Sequence, residues 1–254
     1  MSAGPVSRIL ADPQHGPPNP QHAALSAQHG PRDAQHGPRN PQHGGVAVTV
    51  VGVLTCVGFD LDMTLIDPRP GMAAAMNRLG DDNDLPLDGE YFAAHLGPPL
   101  DHSLRGFGAP EEKIPDLITQ FRANYPDIVV PQTVALPGAQ EALDVVHELG
   151  ATTLVVTGKY GPNADLHVKA LDLPVDTLVG DLWSTGKAAA LTEHGASVYV
   201  GDHVGDMRGA QAAGAVAVGV VSGPCSRDEL VEAGAEVVLD SLTEFPAWLR
   251  AWAA

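Results

Sequence analysis

Hydrophobic positions along this chain fall into two rhythms. Residues 46–59 are almost continuously apolar and rich in β-branched side chains, the pattern of a strand buried on both faces. Residues 139–149 instead repeat Ala142, Val145, Val146 and Leu149 at helical spacing, with Pro137 and Gly138 before them and Gly150 after. From there the two rhythms alternate. Strands are expected at 152–156, 177–179, 198–200 and 216–221, with an edge strand at 236–239. Helices are expected at 164–171, 187–194, 206–213 and 228–233, and Gly214 stops the third of them. Such alternation predicts an α/β fold built on a doubly wound parallel sheet.

Two segments depart from this rhythm. Residues 68–134 show helical patches at 71–79, 89–96 and 111–125 and no clear strand, so a helical insert is expected after the first strand. Asp81, Asp82 and Asp84 between the first two patches are expected in a solvated turn. At the start of the chain, Gln-His recurs every seven residues at His15, His22, His29, His36 and His43, with proline and glycine between. No apolar seam accompanies that period, so a coiled coil is excluded. Residues 1–45 are expected to be a disordered low-complexity tail. Its histidines offer metal ligands, but a dispensable tail is the more ordinary reading. The expected division is therefore 1–45 tail, 46–67 with 135–254 catalytic core, and 68–134 helical insert.

Composition narrows the function. A net charge of −17 over 254 residues argues against binding to nucleic acid or an anionic membrane. The apolar run before Asp60 is too short to span a bilayer and contains Thr49 and Thr55. No basic region followed by an apolar stretch marks a signal peptide at the start. Cys56 and Cys225 are the only cysteines. No disulfide framework is expected, and a reducing cytoplasm fits.

The candidate chemistry sits at strand ends. Gly58-Phe59-Asp60-Leu61-Asp62-Met63-Thr64 closes the first apolar run with two carboxylates. Charge there is costly unless it holds a cation or does chemistry. Thr157-Gly158 follows the second strand, Lys187 opens a helix, and Gly201-Asp202-His203-Val204-Gly205-Asp206 follows the fourth strand. A parallel sheet brings such ends to one edge, where ligands bind.

In that order, these residues resemble the four motifs of the haloacid dehalogenase superfamily of phosphotransferases, over residues 48–249. The resemblance implies that family's Rossmann-like core and assigns the roles. Asp60 would be the nucleophile that forms an aspartyl phosphate. Asp62 would protonate the leaving oxygen and then deprotonate the attacking water. Mg²⁺ would be held by the Asp60 carboxylate, the Asp62 backbone carbonyl and the Asp202 carboxylate. Thr64, Thr157, Gly158 and Lys187 would bind the phosphoryl group, and Asp206 would support Lys187 or a metal-bound water. An acid at position 62 points to phosphate ester hydrolysis or to a sugar phosphomutase rather than to carbon–halogen cleavage.

The resemblance also implies that the insert is a cap that closes over the site and selects a small phosphorylated metabolite. His95-Leu96-Gly97-Pro98-Pro99-Leu100 is similar to the substrate-contacting cap loop of phosphoglycolate phosphatase-like members. Arg69, Arg105 and Arg122 are candidates for a substrate carboxylate or phosphate, solvated surface being their ordinary role. His203 is expected at the rim of the site. Lys159 is expected at the surface or on the substrate. Two positions depart from the family pattern. Met63 replaces the usual glycine and is expected to crowd the site or point into the cap. Ala188 replaces the proline that often follows the lysine. Two non-hydrolytic readings remain beside the phosphatase: a receiver domain, which needs no helical insert, and an inactive member that only binds its ligand.

Overall fold

The computed structural model describes residues 54–254. The expected tail, and residues 46–53 of the expected first strand, lie outside the described residues. The strands are β1 (Cys56–Phe59), β2 (Ile66–Asp67), β3 (Val134–Ala135), β4 (Thr152–Val156), β5 (Thr177–Val179), β6 (Ala196–Gly201), β7 (Val216–Val220) and β8 (Val237–Leu239). The helices are α1 (Arg69–Asn83), α2 (Gly89–Ala94), α3 (Leu100–Gly106), α4 (Ile114–Ile128) and α5 (Ala139–Glu148). They continue with α6 (Gly161–Ala170), α7 (Ala188–Glu193), α8 (Val204–Ala213), α9 (Arg227–Glu232) and α10 (Phe245–Trp252). Among the described residues, no helix is long and apolar enough to cross a membrane.

Six strands form a parallel sheet in the order β5-β4-β1-β6-β7-β8. The chain runs outward from β1 through β4 to β5, then returns to place β6 on the other side of β1. The crevice between β1 and β6 is thus a topological switch point, the place where open α/β sheets bind ligands.

Period two explains the layers on either face. Val57, Phe59, Val155, Val198 and Val200 point to one side and pack with Ala142, Leu143 and Val146 of α5 and with Phe245 and Leu249 of α10. Leu154, Val156, Tyr199 and Ala217 point to the other side, toward Leu191 of α7, Met207 and Ala210 of α8, and Leu230 of α9. The doubly wound sheet expected from the alternation is the observed one.

Local departures from expectation have local causes. Helix α6 begins at Gly161 because Pro162 sits in its first turn, where a missing N–H costs nothing. Helix α10 was not anticipated, although Phe245, Trp248, Leu249 and Trp252 fall at helical spacing over two turns. Helix α3 was not anticipated either, because Leu104 is its one buried residue and periodicity has nothing to register.

Residues between β2 and β3 build an apolar cluster of their own, from Met72, Met76 and Leu79 of α1, Phe92 of α2, Leu104 of α3, and Leu117, Phe121 and Tyr125 of α4. The acidic run is solvated, but only Asp84 lies in a turn, closing α1 in a left-handed conformation; Asp81 and Asp82 belong to the last turn of α1 itself, where Asp82 pairs with Arg78. The insert joins the sheet through one antiparallel ribbon that pairs Ile66 with Ala135 and Asp67 with Val134. Near this junction α1 passes so close to the end of α4 that a Cβ at Gly71 would lie 2.6 Å from the Val129 Cα. Neither partner is a flexible side-chain tip, so the backbone itself must move. Gly71→Ala is expected to destabilise the protein by about 1–3 kcal/mol, the usual cost of overpacking, as read by urea unfolding.

Candidate active site

The end of β1 is tied to β6 by the Asp60 N–H, which donates to the Val200 carbonyl at 2.8 Å. This register places Asp60, just past β1, beside Asp202, just past β6. Asp206 joins them from the first turn of α8. One carboxylate oxygen from each of Asp60, Asp202 and Asp206 lies within 4.8 Å of the other two. The carboxylate of Asp62 is not in this cluster.

Lys187 meets the cluster from the turn before α7. Its side chain is 1% exposed. Its Nζ donates to Asp60 Oδ1 at 2.9 Å, to Asp206 Oδ1 at 2.6 Å and to the Tyr199 hydroxyl at 2.8 Å. The Tyr199 hydroxyl in turn donates to the Val156 carbonyl at 2.6 Å. All three ammonium donors are therefore used. Burial opposes the charge on Lys187, but Asp206 and Asp60 outweigh it and hold the ammonium protonated well above the usual lysine range.

One ammonium does not balance three carboxylates. Burial, reinforced by Asp206 and Asp60, pushes Asp202 well above the carboxylate range, and the hydroxyl of Thr64, 2.7 Å from Oδ1, only partly relieves it. Burial also lifts Asp206 to about 6 against the pull of Lys187. The surplus of negative charge and the oxygen-only donor set fit a hard divalent cation held by Asp60 and Asp202. The walls are close here too: a Cβ at Gly223 would lie 1.8 Å from Asp202 Oδ2.

A cavity of about 230 Å³ opens over Asp60 and Asp202. Its walls include Thr157 and Gly158 after β4, Gly97 and Pro98 from the insert, and Arg122 of α4. Asp62 also faces it, with Oδ2 2.9 Å from Lys159 Nζ. Burial raises Asp62 above its ordinary value despite that lysine.

Several expectations need adjustment. Thr64 does not line the cavity; its buried hydroxyl orients Asp202 instead of facing the phosphoryl position. Met63 does not line it either. It takes the left-handed conformation that glycine favours, with φ 60°, and is 3% exposed. Its N–H donates to the Ile66 carbonyl and its own carbonyl accepts from the Ser222 hydroxyl, which hold the turn in that shape. Lys159 is no surface residue, since its side chain is 4% exposed. Of the three arginines, Arg69 pairs with Asp67 and Arg105 with Asp101 and Glu111; neither arginine lines the cavity, although Asp101 does. Arg122 alone of these lines it, with its guanidinium 3.6 Å from the centre of the Tyr160 ring. His203 caps α8 by accepting from the Gly205 N–H at 2.9 Å and leans on Trp183, as a residue at the rim should.

The sequence reading passed over Tyr199, Trp183, Tyr125 and His167. Tyr199 reads as one more apolar strand residue, and only its neighbour Lys187 in space reveals its hydroxyl. Tyr125 and His167 lie on different helices, with the Tyr125 hydroxyl 2.7 Å from His167 Nε2.

Residues 57–220 match the family model of haloacid dehalogenase-like hydrolases. The chain belongs to that family. It is 29% identical over 205 residues to the "Probable phosphatase IndB" of Dickeya dadantii, spanning 73% of this chain and 89% of that one. It is also 29% identical over 210 residues to the phosphoglycolate phosphatase of Caulobacter vibrioides, spanning 75% of this chain and 88% of that one. The crystal structure of a predicted phosphatase from Clostridium acetobutylicum shares the fold, with a TM-score of 0.69 at 23% identity over 78% of this chain and 99% of that one. The protein is a phosphoric monoester hydrolase. The receiver-domain reading falls with that match.

Burial, with Lys159 nearby, pushes the His167 imidazole from its usual 6.5 down to about 3. The unfolded chain therefore takes up a proton in this interval that the folded protein refuses. Stability is expected to fall as pH drops from about 6.5 toward 3, and this contribution levels off below. Urea unfolding across that range is expected to show a flatter pH dependence for His167→Gln than for the unaltered protein.

Proposed function

We propose that this enzyme hydrolyses a small phosphomonoester through an aspartyl phosphate on Asp60. The observation that carries the reading is the Asp60 carboxylate itself, bonded to Lys187, flanked by Asp202 and Asp206, and open to the cavity. An Asp60 oxygen attacks phosphorus, and the bond to the leaving oxygen breaks. Asp62 gives its proton to that oxygen, which departs as an alcohol. The Asp62 carboxylate then takes a proton from water as the water oxygen bonds to phosphorus. The Asp60–phosphorus bond breaks, and the nucleophile and inorganic phosphate are released.

Lys187 offsets charge on Asp60 and the phosphoryl oxygens, while Thr157 and Gly158 wall the phosphoryl position. Asp60, Asp202 and the Asp62 backbone carbonyl are the proposed ligands of Mg²⁺, with Asp206 in support. When bound, Mg²⁺ neutralises phosphoryl charge that would otherwise repel a carboxylate nucleophile. The helical insert acts as the cap that excludes water and selects the substrate. The unpaired Cys56 and Cys225 accord with a reducing, cytoplasmic setting.

Relatives named phosphoglycolate phosphatases suggest a substrate with a carboxylate on a short carbon chain. Arg122 is the proposed partner of that group, since its guanidinium stands on the cavity wall contributed by the insert.

Asp60→Asn is expected to abolish hydrolysis of a generic aryl phosphate, and so is EDTA, with Mg²⁺ restoring the second loss only. Activity surviving both treatments sinks the reading. With a hexose 1-phosphate, phosphate release is expected; isomerisation without release would instead make the protein a phosphomutase. Arg122→Gln is expected to raise KM for a carboxylated alkyl phosphate about tenfold, in line with one lost charge-assisted hydrogen bond. KM for an uncharged alkyl phosphate is expected to rise much less.

A further inference from the structure

Three buried side chains and the partly buried Asp62 carboxylate form a chain of one ion pair and two hydrogen bonds that leaves the core, enters the helical insert and returns. Asp62 Oδ2 lies 2.9 Å from Lys159 Nζ. Lys159 Nζ donates to the Tyr125 hydroxyl at 2.5 Å, and that hydroxyl shares a hydrogen bond with His167 Nε2 at 2.7 Å. Asp62, Lys159 and His167 belong to the core, whereas Tyr125 stands on α4. Its ring is 1% exposed and packs edge-on against Phe121 and His167.

The chain has few alternatives at each link. Asp62 Oδ1 is buried without a partner, so Lys159 is the one side chain bonded to this carboxylate among the described residues. Lys159 is a long, flexible side chain, and its ammonium is held by two bonds, one to Asp62 and one to Tyr125. Removing the phenol leaves the lysine half-satisfied in a buried place, where an unmade bond is costly. The placement of Asp62 thus depends on a hydroxyl from the other side of the cavity.

We propose that Tyr125 is a positioning residue for proton transfer: seated on the core, the insert uses this hydroxyl to hold Lys159, and Lys159 holds the Asp62 carboxylate at the phosphoryl site. This rests on the role of Asp62 as the proton carrier. When the insert lifts, the phenol leaves with it and the acid loses its alignment. Closure of the cavity and assembly of the acid become one event, so a phosphomonoester is protonated only where water has been excluded.

The test compares two esters. A simple alkyl phosphate needs its leaving oxygen protonated, while a nitrophenyl phosphate does not. Tyr125→Phe keeps the buried ring and removes only the hydroxyl. Its kcat/KM on the alkyl ester is expected to fall at least about fivefold further than on the aryl ester, a share of the 10²–10⁴ that a positioned acid supplies. Because the attack of water also uses Asp62, the variant is expected to release nitrophenol in a burst followed by a slower steady rate. Asp62→Ala, assayed in parallel, is expected to show a larger loss in the same direction. Equal losses on the two esters would make Tyr125 a packing contact and overturn the proposal, as would full activity of Tyr125→Phe on the alkyl ester. If Asp62→Ala also shows equal losses, the role of Asp62 itself fails, and the proposal falls with it.

Discussion

A buried ammonium holds this site together. Lys187 Nζ bonds to groups that arrive from three directions: Asp60 past β1, Tyr199 within β6 and Asp206 on α8. Through Tyr199 it also reaches the Val156 carbonyl at the end of β4. The three strands at the centre of the sheet are thus pinned at their carboxyl ends by one charged atom and its partners. Carboxylates packed this closely raise one another's proton affinity, and Lys187 offsets part of that charge. Removing Lys187 would leave buried charges without a partner, a fault that costs several kcal/mol or about 3–5 in measured cases.

The structure gives each of the paired aspartates its own lysine. Asp60 meets Lys187, and Asp62 meets Lys159. The two lysines are anchored differently. The first is held by groups of the core alone. The second is also bonded to Tyr125 of the insert, so the surroundings of Asp60 come from the core alone while those of Asp62 draw on both parts of the chain.

The sheet and its strand-end residues were legible because one rule covers them. Period two with β-branched residues gives parallel strands, and parallel strands deliver Asp60, Thr157 and Asp202 to one edge however far apart they are in sequence. Lys187 followed from its place at the head of a helix. What escaped has no period. Lys159, Tyr125 and His167 meet across the boundary between the insert and the sheet, which no local pattern describes, and Tyr199 hides in a strand as an ordinary aromatic. Thr64 was expected to bind the phosphoryl group, but the direction of a hydroxyl is set by its nearest acceptor, here Asp202. The backbone turn at Met63 shows the reverse case. The family pattern marks the position as one for glycine, and the structure shows the left-handed angle that explains why, yet the methionine is accommodated by packing away from the cavity.

The ribbon of β2 and β3 has a consequence beyond this molecule. The chain enters and leaves the insert side by side, at Ile66 opposite Ala135 and Asp67 opposite Val134. The sheet therefore meets everything from α1 to α4 as a single paired attachment. An insertion, deletion or wholesale exchange of helices there leaves every strand of the sheet in register. The insert can therefore be rewritten while Asp60, Thr157 and Asp202 keep their places at the sheet edge. The limit on that freedom is the hydroxyl at Tyr125, the group through which the insert is bonded to Lys159 and His167 of the core.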